Sequence, residues 1–362
     1  MKKVVILGVT GSIGTQALSC LADCELVGVS FNKNCDKMRA ILAQFPSLEV
    51  FSPSNSGLNT VFSYDELLDK TQPDLVLNCV VGFDGVYLSK LVIEKDVDLA
   101  LANKESLVVG GKLLMDLLKA HPQVALYPVD SEHSSLYQLN AIDPTRVQKI
   151  YITCSGGPFY HLNAEEKAQK TFAEAIKHPN WSMGYKISID SATLINKCFE
   201  IIEAGYLFPN KEITALYHPQ SVVHSLIEFQ DNSVFANMST PDMKIAIDLA
   251  LHEFNKQAPK IQPLSFKHLN LTFAEIDPNQ WLPISWAYEV VAQKNHTLGI
   301  IINTVNDFVI ELFKNAQIGF NDITAIIQQY IQKYRNIVVN TWNDLENLHK
   351  QIVQELQSTY FQ

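Results

Sequence analysis

The sequence predicts an α/β protein with an N-terminal parallel-sheet domain, a central α+β domain and a C-terminal helical domain. A glycine-rich turn follows the first apolar strand, apolar strands then alternate with periodic helices as far as residue 129, and residues 281–362 carry helical apolar stripes. With 362 residues, of which 47% are hydrophobic, the chain can bury the cores of several domains.

Composition argues against several classes of protein. A formal net charge of −10 does not suit a nucleic-acid-binding surface, which needs a basic stripe. No apolar run reaches the about 18 residues that indicate a membrane span, and Val4–Leu7 is too short for a secretory signal. The six cysteines lack metal-binding spacing and are typical of reduced thiols, so we expect a cytoplasmic protein.

The first elements are a strand, a glycine-rich turn and a helix. Val4–Leu7 precedes Gly8-Val9-Thr10-Gly11-Ser12-Ile13-Gly14, and a helix is predicted from there to about Leu21. This order is typical of a Rossmann-like dinucleotide-binding unit, in which the N–H groups of the turn hold a pyrophosphate. The spacing is GxxGxxG and not GxGxxG, so a turn that binds no nucleotide remains an alternative.

The end of the second strand indicates which dinucleotide would bind. An NAD site usually carries an acid there, which bonds the ribose 2′-hydroxyl. After Leu26–Val29 the chain instead reads Ser30-Phe31-Asn32-Lys33-Asn34. A lysine between two amides accommodates a 2′-phosphate better and favours NADPH, the alternative being an ordinary polar turn.

Helices and strands continue to alternate after this turn. A helix is predicted over Cys35–Phe45, and buried parallel strands over Leu75–Val80 and Asp98–Ala102. Asn103-Lys104-Glu105-Ser106 follows the last of these, at the end of the strand where open α/β sheets bind ligands. A simple helix N-cap is the alternative for this segment.

Two further strands end in candidate ligand groups. Val124–Val129 leads into Asp130 and Glu132, which point the same way if the chain is extended. Their carboxylates suit Mg²⁺ or Mn²⁺, with Glu200 as the third ligand, although solvated acids are common at strand ends. Ile150–Cys154 leads into Ser155-Gly156-Gly157, which is either a phosphate-binding turn or only a tight turn.

Residues 178–204 concentrate polar and ionisable side chains. A strand is predicted over Lys186–Asp190, followed by a helix to about Ala204 that Asp190, Ser191 or Thr193 would cap. On that helix one face carries an amide, an ammonium and a carboxylate, which suit a phosphorylated ligand and a metal: Asn196, Lys197 and Glu200. A capped surface helix with one ion pair is the alternative.

The remaining elements complete three predicted domains. Strands are predicted over 212–217, 221–229 and 233–238, the last two as a hairpin, and a helix over 241–254. The predicted division is a Rossmann-like NADPH-binding domain (1–129), a catalytic α+β domain (130–254), a linker (255–280) and a helical domain (281–362). The apolar stripes of the helical domain are interpreted as packing faces.

The motifs together resemble one enzyme family, 1-deoxy-D-xylulose 5-phosphate reductoisomerase. The resemblance covers roughly residues 1–250, and its most specific part is the long motif at 178–204. The motifs, in chain order, are GVTGSIG, NKES, DSEHSSLYQ, SGGPF, HPNWSMGYKISIDSATLINKCFEIIEA and HPQSVVHS.

The resemblance implies roles for individual residues. Trp181 would belong to a mobile lid and Lys104 would reach the substrate near the nicotinamide. Cofactor contacts are implied for Thr10, Gly11, Ser12, Ile13, Lys33, Asn34, Asn103, Glu105 and Gly184. The Mg²⁺ or Mn²⁺ ligands are implied to be Asp130, Glu132 and Glu200. Contacts with the substrate are implied for Ser131, Glu132, Ser155, His178, Ser191, Asn196 and Lys197.

The implied activity is the NADPH- and metal-dependent rearrangement and reduction of 1-deoxy-D-xylulose 5-phosphate to 2-C-methyl-D-erythritol 4-phosphate. This reaction belongs to the non-mevalonate pathway of isoprenoid biosynthesis, and the family implies a homodimer. Asn32 and Cys198 stand where the family usually has glycine, and Leu194-Ile195 replaces two methionines, but no implied ligand is lost. A simple NADPH dehydrogenase and a non-catalytic dinucleotide sensor are the alternative functions.

Overall fold

The structure is a computed structural model that describes residues 1–54, 57–177, 181, 184–253, 261–293 and 296–361. Its strands are β1 Lys2–Leu7, β2 Cys24–Ser30, β3 Glu49–Phe51, β4 Leu75–Asn78, β5 Asp98–Leu101, β6 Leu126–Pro128, β7 Val147–Cys154, β8 Glu212–Tyr217, β9 Val223–Phe229, β10 Val234–Met238 and β11 Ala274–Glu275. Its helices are α1 Ser12–Ala17, α2 Cys35–Gln44, α3 Tyr64–Thr71, α4 Asp84–Glu94, α5 Glu105–Ala120, α6 Ser131–Asn140, α7 Ala164–Ala168, α8 Phe172–Ala175, α9 Tyr185–Thr193, α10 Ile195–Leu207, α11 Lys244–Leu251, α12 Leu282–Gln293, α13 His296–Lys314, α14 Phe320–Tyr334 and α15 Trp342–Tyr360.

The chain divides into two compact units. The first unit comprises residues 1–106, 116–138 and 242–262, and the second comprises residues 107–115, 139–241 and 263–362. Each unit gathers segments that are distant in sequence, so neither coincides with one of the predicted domains. The predicted domain boundaries after residues 129, 254 and 280 stay predictions.

The first unit is built on a six-stranded sheet in the order β3-β2-β1-β4-β5-β6. Every pair of neighbouring strands in it is parallel. The predicted α/β fold class is confirmed by this sheet. The strand order reverses direction between β1 and β4. In open α/β sheets, ligands bind in the crevice at the carboxyl ends of the strands on either side of such a reversal.

Helix α11 belongs to the first unit although it lies more than a hundred positions beyond β6 in the sequence. Ile247, Ala250 and Leu251 are buried in one apolar cluster with Val4 and Ile6 of β1. Their spacing of i, i+3 and i+4 places them on one helix face. The sequence predicts this helix but does not reveal which sheet its apolar face covers.

The second unit contains a five-stranded mixed sheet in the order β10-β9-β7-β8-β11. β7 and β8 are parallel, whereas β9 and β10 form the antiparallel hairpin that the sequence predicts. The short strand β11 lies inside the segment interpreted as a linker and pairs with β8. The four helices from α12 to α15 belong to this same unit, and their predicted stripes are buried, as Ile323, Ile327 and Leu345 show.

The prediction of a strand over Lys186–Asp190 is wrong, because these residues lie in helix α9. An ion pair joins Lys186 to Asp190 at 2.9 Å, and four positions separate neighbours on a helix face. The Ser188 hydroxyl also donates to the Gly184 carbonyl four residues earlier. Alternation over five residues is too short a pattern to exclude a helix that such contacts stabilise.

The helix that follows begins later than the sequence suggests, at Ile195, and ends at Leu207. Leu194 separates α9 from α10 in the left-handed backbone conformation, with φ of 62°. Within the described ranges, no helix is both long and apolar enough to cross a membrane.

Candidate active site

The glycine-rich turn of the first unit lies at the reversal of strand order. Gly8 has φ of +83°, and a Cβ atom there would lie 3.1 Å from the carbonyl oxygen of Cys79, just after β4. A Cβ at Gly14 would lie 2.5 Å from the Gly8 carbonyl oxygen, so both positions require glycine. The tight turn leaves Gly11 and Ser12 exposed at the start of α1, where a phosphate group can approach the backbone N–H groups.

The residues after β2 lie in an exposed polar turn. Asn32, Lys33 and Asn34 are all exposed, and the Asn34 side chain caps α2 by accepting from the Lys37 N–H at 3.1 Å. The Lys37 ammonium donates to the Thr10 carbonyl at 2.9 Å, which places a positive charge at the glycine-rich turn. The sequence analysis missed Lys37; its position three residues after the capping Asn34 is the signal that could have revealed it.

Asn103 and Glu105 organise the chain that follows β4. Asn103 donates to the carbonyls of Val80 at 2.7 Å and Gly82 at 3.1 Å, and also to Glu105 at 2.9 Å. Glu105 in turn accepts from the Gly82 N–H at 3.2 Å. Because both side chains are buried, these contacts fix the loop between β4 and α4 at the carboxyl end of the sheet.

Lys104 and Asp130 form a buried ion pair in the first unit. The Lys104 ammonium lies 2.6 Å from the Asp130 carboxylate, and the two side chains are 10% and 13% exposed. Burial by itself would raise the pKa of Asp130, but the Lys104 charge and His133 together hold that pKa well below its usual range. Asp130 is therefore ionised at neutral pH, as a metal ligand must be.

Asp130 and Glu132 do lie together, but not on an extended chain. Helix α6 begins at Ser131, so Glu132 is in its first turn, where an acid is favourable. Carboxylate oxygens of Asp130 and Glu132 come within 4.8 Å of each other. Asp130 also accepts from the Ser131 N–H at 3.0 Å, and the Ser131 hydroxyl donates to Glu132. The two carboxylates thus lie close together as predicted, but they do so at the start of a helix and not on an extended chain.

In the second unit, Lys197 and Glu200 form another buried ion pair. Both residues lie on α10 and are at most 2% exposed. The Lys197 ammonium donates to one Glu200 oxygen and, at 2.5 Å, to the Thr153 carbonyl of β7. The Asn196 amide donates to the other Glu200 oxygen. The shared face predicted for these three side chains is confirmed, and the alternative of an exposed helix with one ion pair is wrong.

The Ser155-Gly156-Gly157 turn packs against the end of α9. Gly157 has φ of +69°, and a Cβ there would lie 2.8 Å from the Ser191 carbonyl oxygen. The Gly157 N–H donates to the Ser155 hydroxyl at 3.2 Å. The turn that begins at Ser155 therefore packs against the backbone of Ser191; both serines are implied to bind substrate, and both are half-buried.

The loop before α9 is described only in part. His178 lies outside the described residues. The Trp181 ring lies 6.4 Å from the His224 ring, centroid to centroid, and His224 pairs with the Ser239 hydroxyl at 2.8 Å. Gly184 is exposed, and among the residues that the structure describes no atom lies within 4 Å of the position that its Cβ would take.

The donor chemistry of the two units fits the groups that the sequence predicts. Carboxylate oxygens are the ligands that Mg²⁺ and Mn²⁺ prefer, and Asp130, Glu132 and Glu200 supply them. Each unit balances a buried carboxylate with a lysine, Lys104 or Lys197. Serine hydroxyls and lysine ammonium groups are typical phosphate-binding groups.

Three family models match the chain. "1-Deoxy-D-xylulose 5-phosphate reductoisomerase" matches residues 4–111, the C-terminal domain of the same enzyme matches residues 126–208, and "DXP reductoisomerase C-terminal domain" matches residues 238–355. Together these ranges cover most of the sequence. The long motif at residues 178–204 lies within the second range.

Curated relatives and solved structures agree with these matches. The 1-deoxy-D-xylulose 5-phosphate reductoisomerase of Malacoplasma penetrans is 50% identical, over 96% of this chain and 93% of its own. That of Clostridium botulinum (strain Loch Maree / Type A3) is 37% identical over 99% of this chain and 100% of its own. A crystal structure of DOX-P reductoisomerase with NADPH, fosmidomycin and magnesium has a TM-score of 0.89 at 30% identity, covering 99% of this chain and 98% of the other.

Proposed function

The chain belongs to the 1-deoxy-D-xylulose 5-phosphate reductoisomerase family, and we propose that the residues described above carry out this family's reaction. The enzyme rearranges 1-deoxy-D-xylulose 5-phosphate and reduces the product to 2-C-methyl-D-erythritol 4-phosphate, with NADPH and a divalent metal. One observation of the fold carries the proposal: the buried Lys104–Asp130 pair at the carboxyl end of the parallel sheet. This arrangement holds an ionised carboxylate beside the edge of the sheet at which dinucleotides bind.

Asp130, Glu132 and Glu200 are the proposed metal ligands. The metal would draw electron density from the substrate's ketone and hydroxyl oxygens, which lowers the barrier to breaking and re-forming a carbon–carbon bond. The Lys104 charge helps to keep Asp130 ionised, and the Lys197 ammonium and the Asn196 amide hold the Glu200 carboxylate in place. Ser131 and Glu132 also contact the substrate in this proposal.

The substrate phosphate and hydroxyls are assigned to the second unit. The turn that contains Ser155 packs through Gly157 against the backbone of Ser191, and Asn196 and Lys197 lie in the first turn of the next helix, α10. His178 is included on the resemblance alone. Binding at a phosphate remote from the reacting carbons supplies energy that can be used to close the site and exclude water.

NADPH is assigned to the first unit. The turn at Thr10, Gly11, Ser12 and Ile13 would hold the pyrophosphate, and the exposed Lys33 and Asn34 would hold the 2′-phosphate. The family resemblance adds three further contacts: Asn103, Glu105 and Gly184. When bound there, NADPH would supply the hydride for the reduction. Lys104 would lie next to the nicotinamide and orient the substrate towards it.

Two further properties follow from the family resemblance and are also proposals. The first is that the protein forms a homodimer. The second is a cytoplasmic location, which the reduced cysteines favour, since all six are free thiols in the described fold. Gel filtration with light scattering would test the first proposal.

The alternative functions account for fewer of the observed features. A simple NADPH dehydrogenase has no need for a second buried lysine–carboxylate pair on α10. A non-catalytic dinucleotide sensor would need the glycine-rich turn only. Neither alternative explains why Asn196 and Lys197 both donate to the Glu200 carboxylate.

The direct test is to follow NADPH absorbance with purified protein and 1-deoxy-D-xylulose 5-phosphate, with and without Mn²⁺ or Mg²⁺. Oxidation should require both substrate and metal. Oxidation that persists without metal would favour the simple dehydrogenase. No oxidation by folded protein that binds NADPH would favour the sensor.

The Glu200→Gln variant tests the metal assignment. Because the change removes a negative ligand but keeps the side-chain shape, turnover should fall by about 100-fold or more. The dissociation constant of NADPH should stay within about twofold, because the glycine-rich turn belongs to the other unit. A large loss of NADPH binding would show that Glu200 does not act on the metal alone.

A further inference from the structure

Asp190 is a buried carboxylate to which the proposed function gives no role. It is 3% exposed, and each of its oxygens has a partner. The Asn306 amide donates to Oδ1 at 2.8 Å, and the Lys186 ammonium donates to Oδ2 at 2.9 Å. A buried carboxylate is costly unless it is paired in this way, so these contacts fix the position of Asp190.

Asn306 comes from a distant part of the sequence, helix α13. It is fully buried on a helix whose neighbouring residues, such as Ile302, Val305 and Ile310, are apolar and buried. Asparagine is a poor helix former, and an apolar residue would fill such a position more stably. The next residue, Asp307, lies 3.3 Å from the Lys186 ammonium, so α13 contacts both members of the Lys186–Asp190 pair.

Asp190 lies directly before the residues proposed to bind phosphate. Ser191 follows it, and Asn196 and Lys197 begin the next helix. Between them, Leu194 adopts a left-handed conformation, which costs about 1 kcal/mol for a residue with a side chain. The backbone at this junction persists only if surrounding contacts determine it.

We propose that Asn306 and Asp190 are positioning residues that hold the α9–α10 junction so that Ser191, Asn196 and Lys197 meet the substrate phosphate. This inference rests on the proposed function and adds to it a contribution from the C-terminal helices. Neither residue contacts the substrate. Asn306 fixes the Asp190 carboxylate, and Asp190 fixes the last turn of α9.

The test compares two variants of α13 that each lose one side-chain hydrogen bond. Asn306→Leu removes the bond to Asp190. Thr304→Val removes the bond from Thr304 to His349, which measures 2.9 Å and does not involve Asp190. Three binding-related constants are measured for each variant: KM for the sugar phosphate, the inhibition constant of inorganic phosphate and KM for NADPH. The thermal midpoint of unfolding is measured as well.

Asn306→Leu should raise KM for the sugar phosphate and the inhibition constant of inorganic phosphate together, by about tenfold. Its KM for NADPH should stay within about twofold. Thr304→Val should lower the thermal midpoint but leave all three binding constants unchanged. If Asn306→Leu changes only the thermal midpoint, or if both variants weaken phosphate binding equally, Asn306 has a structural role only and the inference is wrong.

A charge swap keeps the inference testable if Asn306→Leu does not fold. Asn306→Asp places two carboxylates face to face and should weaken phosphate inhibition. Adding Asp190→Asn exchanges donor and acceptor and leaves the Lys186 ammonium beside Asp307, so phosphate inhibition should recover in part towards the wild-type value. A double variant as weak as the single one would overturn the inference. Absence of turnover in the wild-type enzyme would instead refute the proposed function.

Discussion

Two buried lysine–carboxylate pairs, one in each unit, determine the electrostatics of the candidate site. Lys104 pairs with Asp130, and Lys197 pairs with Glu200. A buried ion pair contributes little net stability, because desolvation offsets the attraction between its charges. Such pairs occur at two of the three proposed metal-ligand positions, Asp130 and Glu200, which suits the proposed function. The Lys104 charge helps to keep the Asp130 carboxylate ionised, as metal binding would require.

His218, in the HPQSVVHS motif, shows how a single side chain holds a loop. Its Nε2 accepts from the N–H groups of Val222 and Val223, at 3.3 and 3.1 Å, so Nδ1 carries the proton and donates to the Thr272 carbonyl at 3.0 Å. The ring also stacks on Phe273. Burial lowers the pKa of His218, and the bond to Thr272 only partly opposes that effect.

The lowered pKa of His218 predicts a pH dependence of stability. The fold favours the neutral ring, so this contribution is complete above the ordinary histidine pKa of about 6.5 and is lost as pH falls below it. We expect the urea midpoint of the wild type to fall between pH 7.5 and 5.5 by more than that of His218→Asn. The variant should be less stable at pH 7.5, by about 1–3 kcal/mol. Parallel pH curves would contradict this prediction.

At the scale of elements, turns and junctions position the site more than helix faces do. The turn after β7 can approach α9 only because residue 157 lacks a side chain. The left-handed Leu194 then redirects the chain so that α10 presents Asn196 and Lys197. The positions of the residues proposed to bind phosphate thus depend on two backbone conformations that most residues avoid.

Gly157→Ala should therefore weaken substrate binding. The new Cβ would lie 2.8 Å from the Ser191 carbonyl oxygen and 2.9 Å from the Ala192 Cα, both backbone atoms that cannot rotate away. We expect KM for the sugar phosphate to rise by about tenfold and stability to fall by about 1–3 kcal/mol. Steady-state kinetics and thermal unfolding provide both numbers.

Gly57→Ala is the matched control for this change. Gly57 has a similar φ of +65°, but no atom of the described residues lies within 4 Å of its Cβ position. It should therefore lose about 1 kcal/mol of stability through backbone strain and keep its KM values. Equal KM changes in the two variants would show that packing against Ser191 is not the cause.

At the scale of the whole molecule, the fold should not depend on the metal. Two of the three carboxylates proposed to bind it, Asp130 and Glu200, already have a lysine partner, and the two sheets have their own apolar cores. EDTA should abolish NADPH oxidation but leave the far-UV circular dichroism unchanged, with a thermal midpoint only a few degrees lower. Added Mn²⁺ should restore activity. Loss of helical signal with EDTA would show that metal binding and folding are coupled.

The reaction followed from the resemblance of the motifs to one family, whereas the sequence by itself determined which groups could bind a dinucleotide, a metal or a phosphate. Residue types at short spacing carry that information: the glycine-rich turn, the two carboxylates after β6, and the amide, ammonium and carboxylate on α10. Each lies within a few positions of its neighbours, where chain geometry fixes their proximity. Long apolar runs likewise determined the parallel strands, since strands buried on both faces are apolar throughout.

Only the tertiary structure decided which distant segments meet. It assigned α11 to the first sheet, paired β11 with β8 and set Asn306 of α13 against Asp190. It also decided that Lys186–Asp190 is helical. Packing partners far apart in sequence leave no local pattern. An apolar helix face fits many surfaces, and an asparagine in the sequence does not indicate which acceptor its amide will bond.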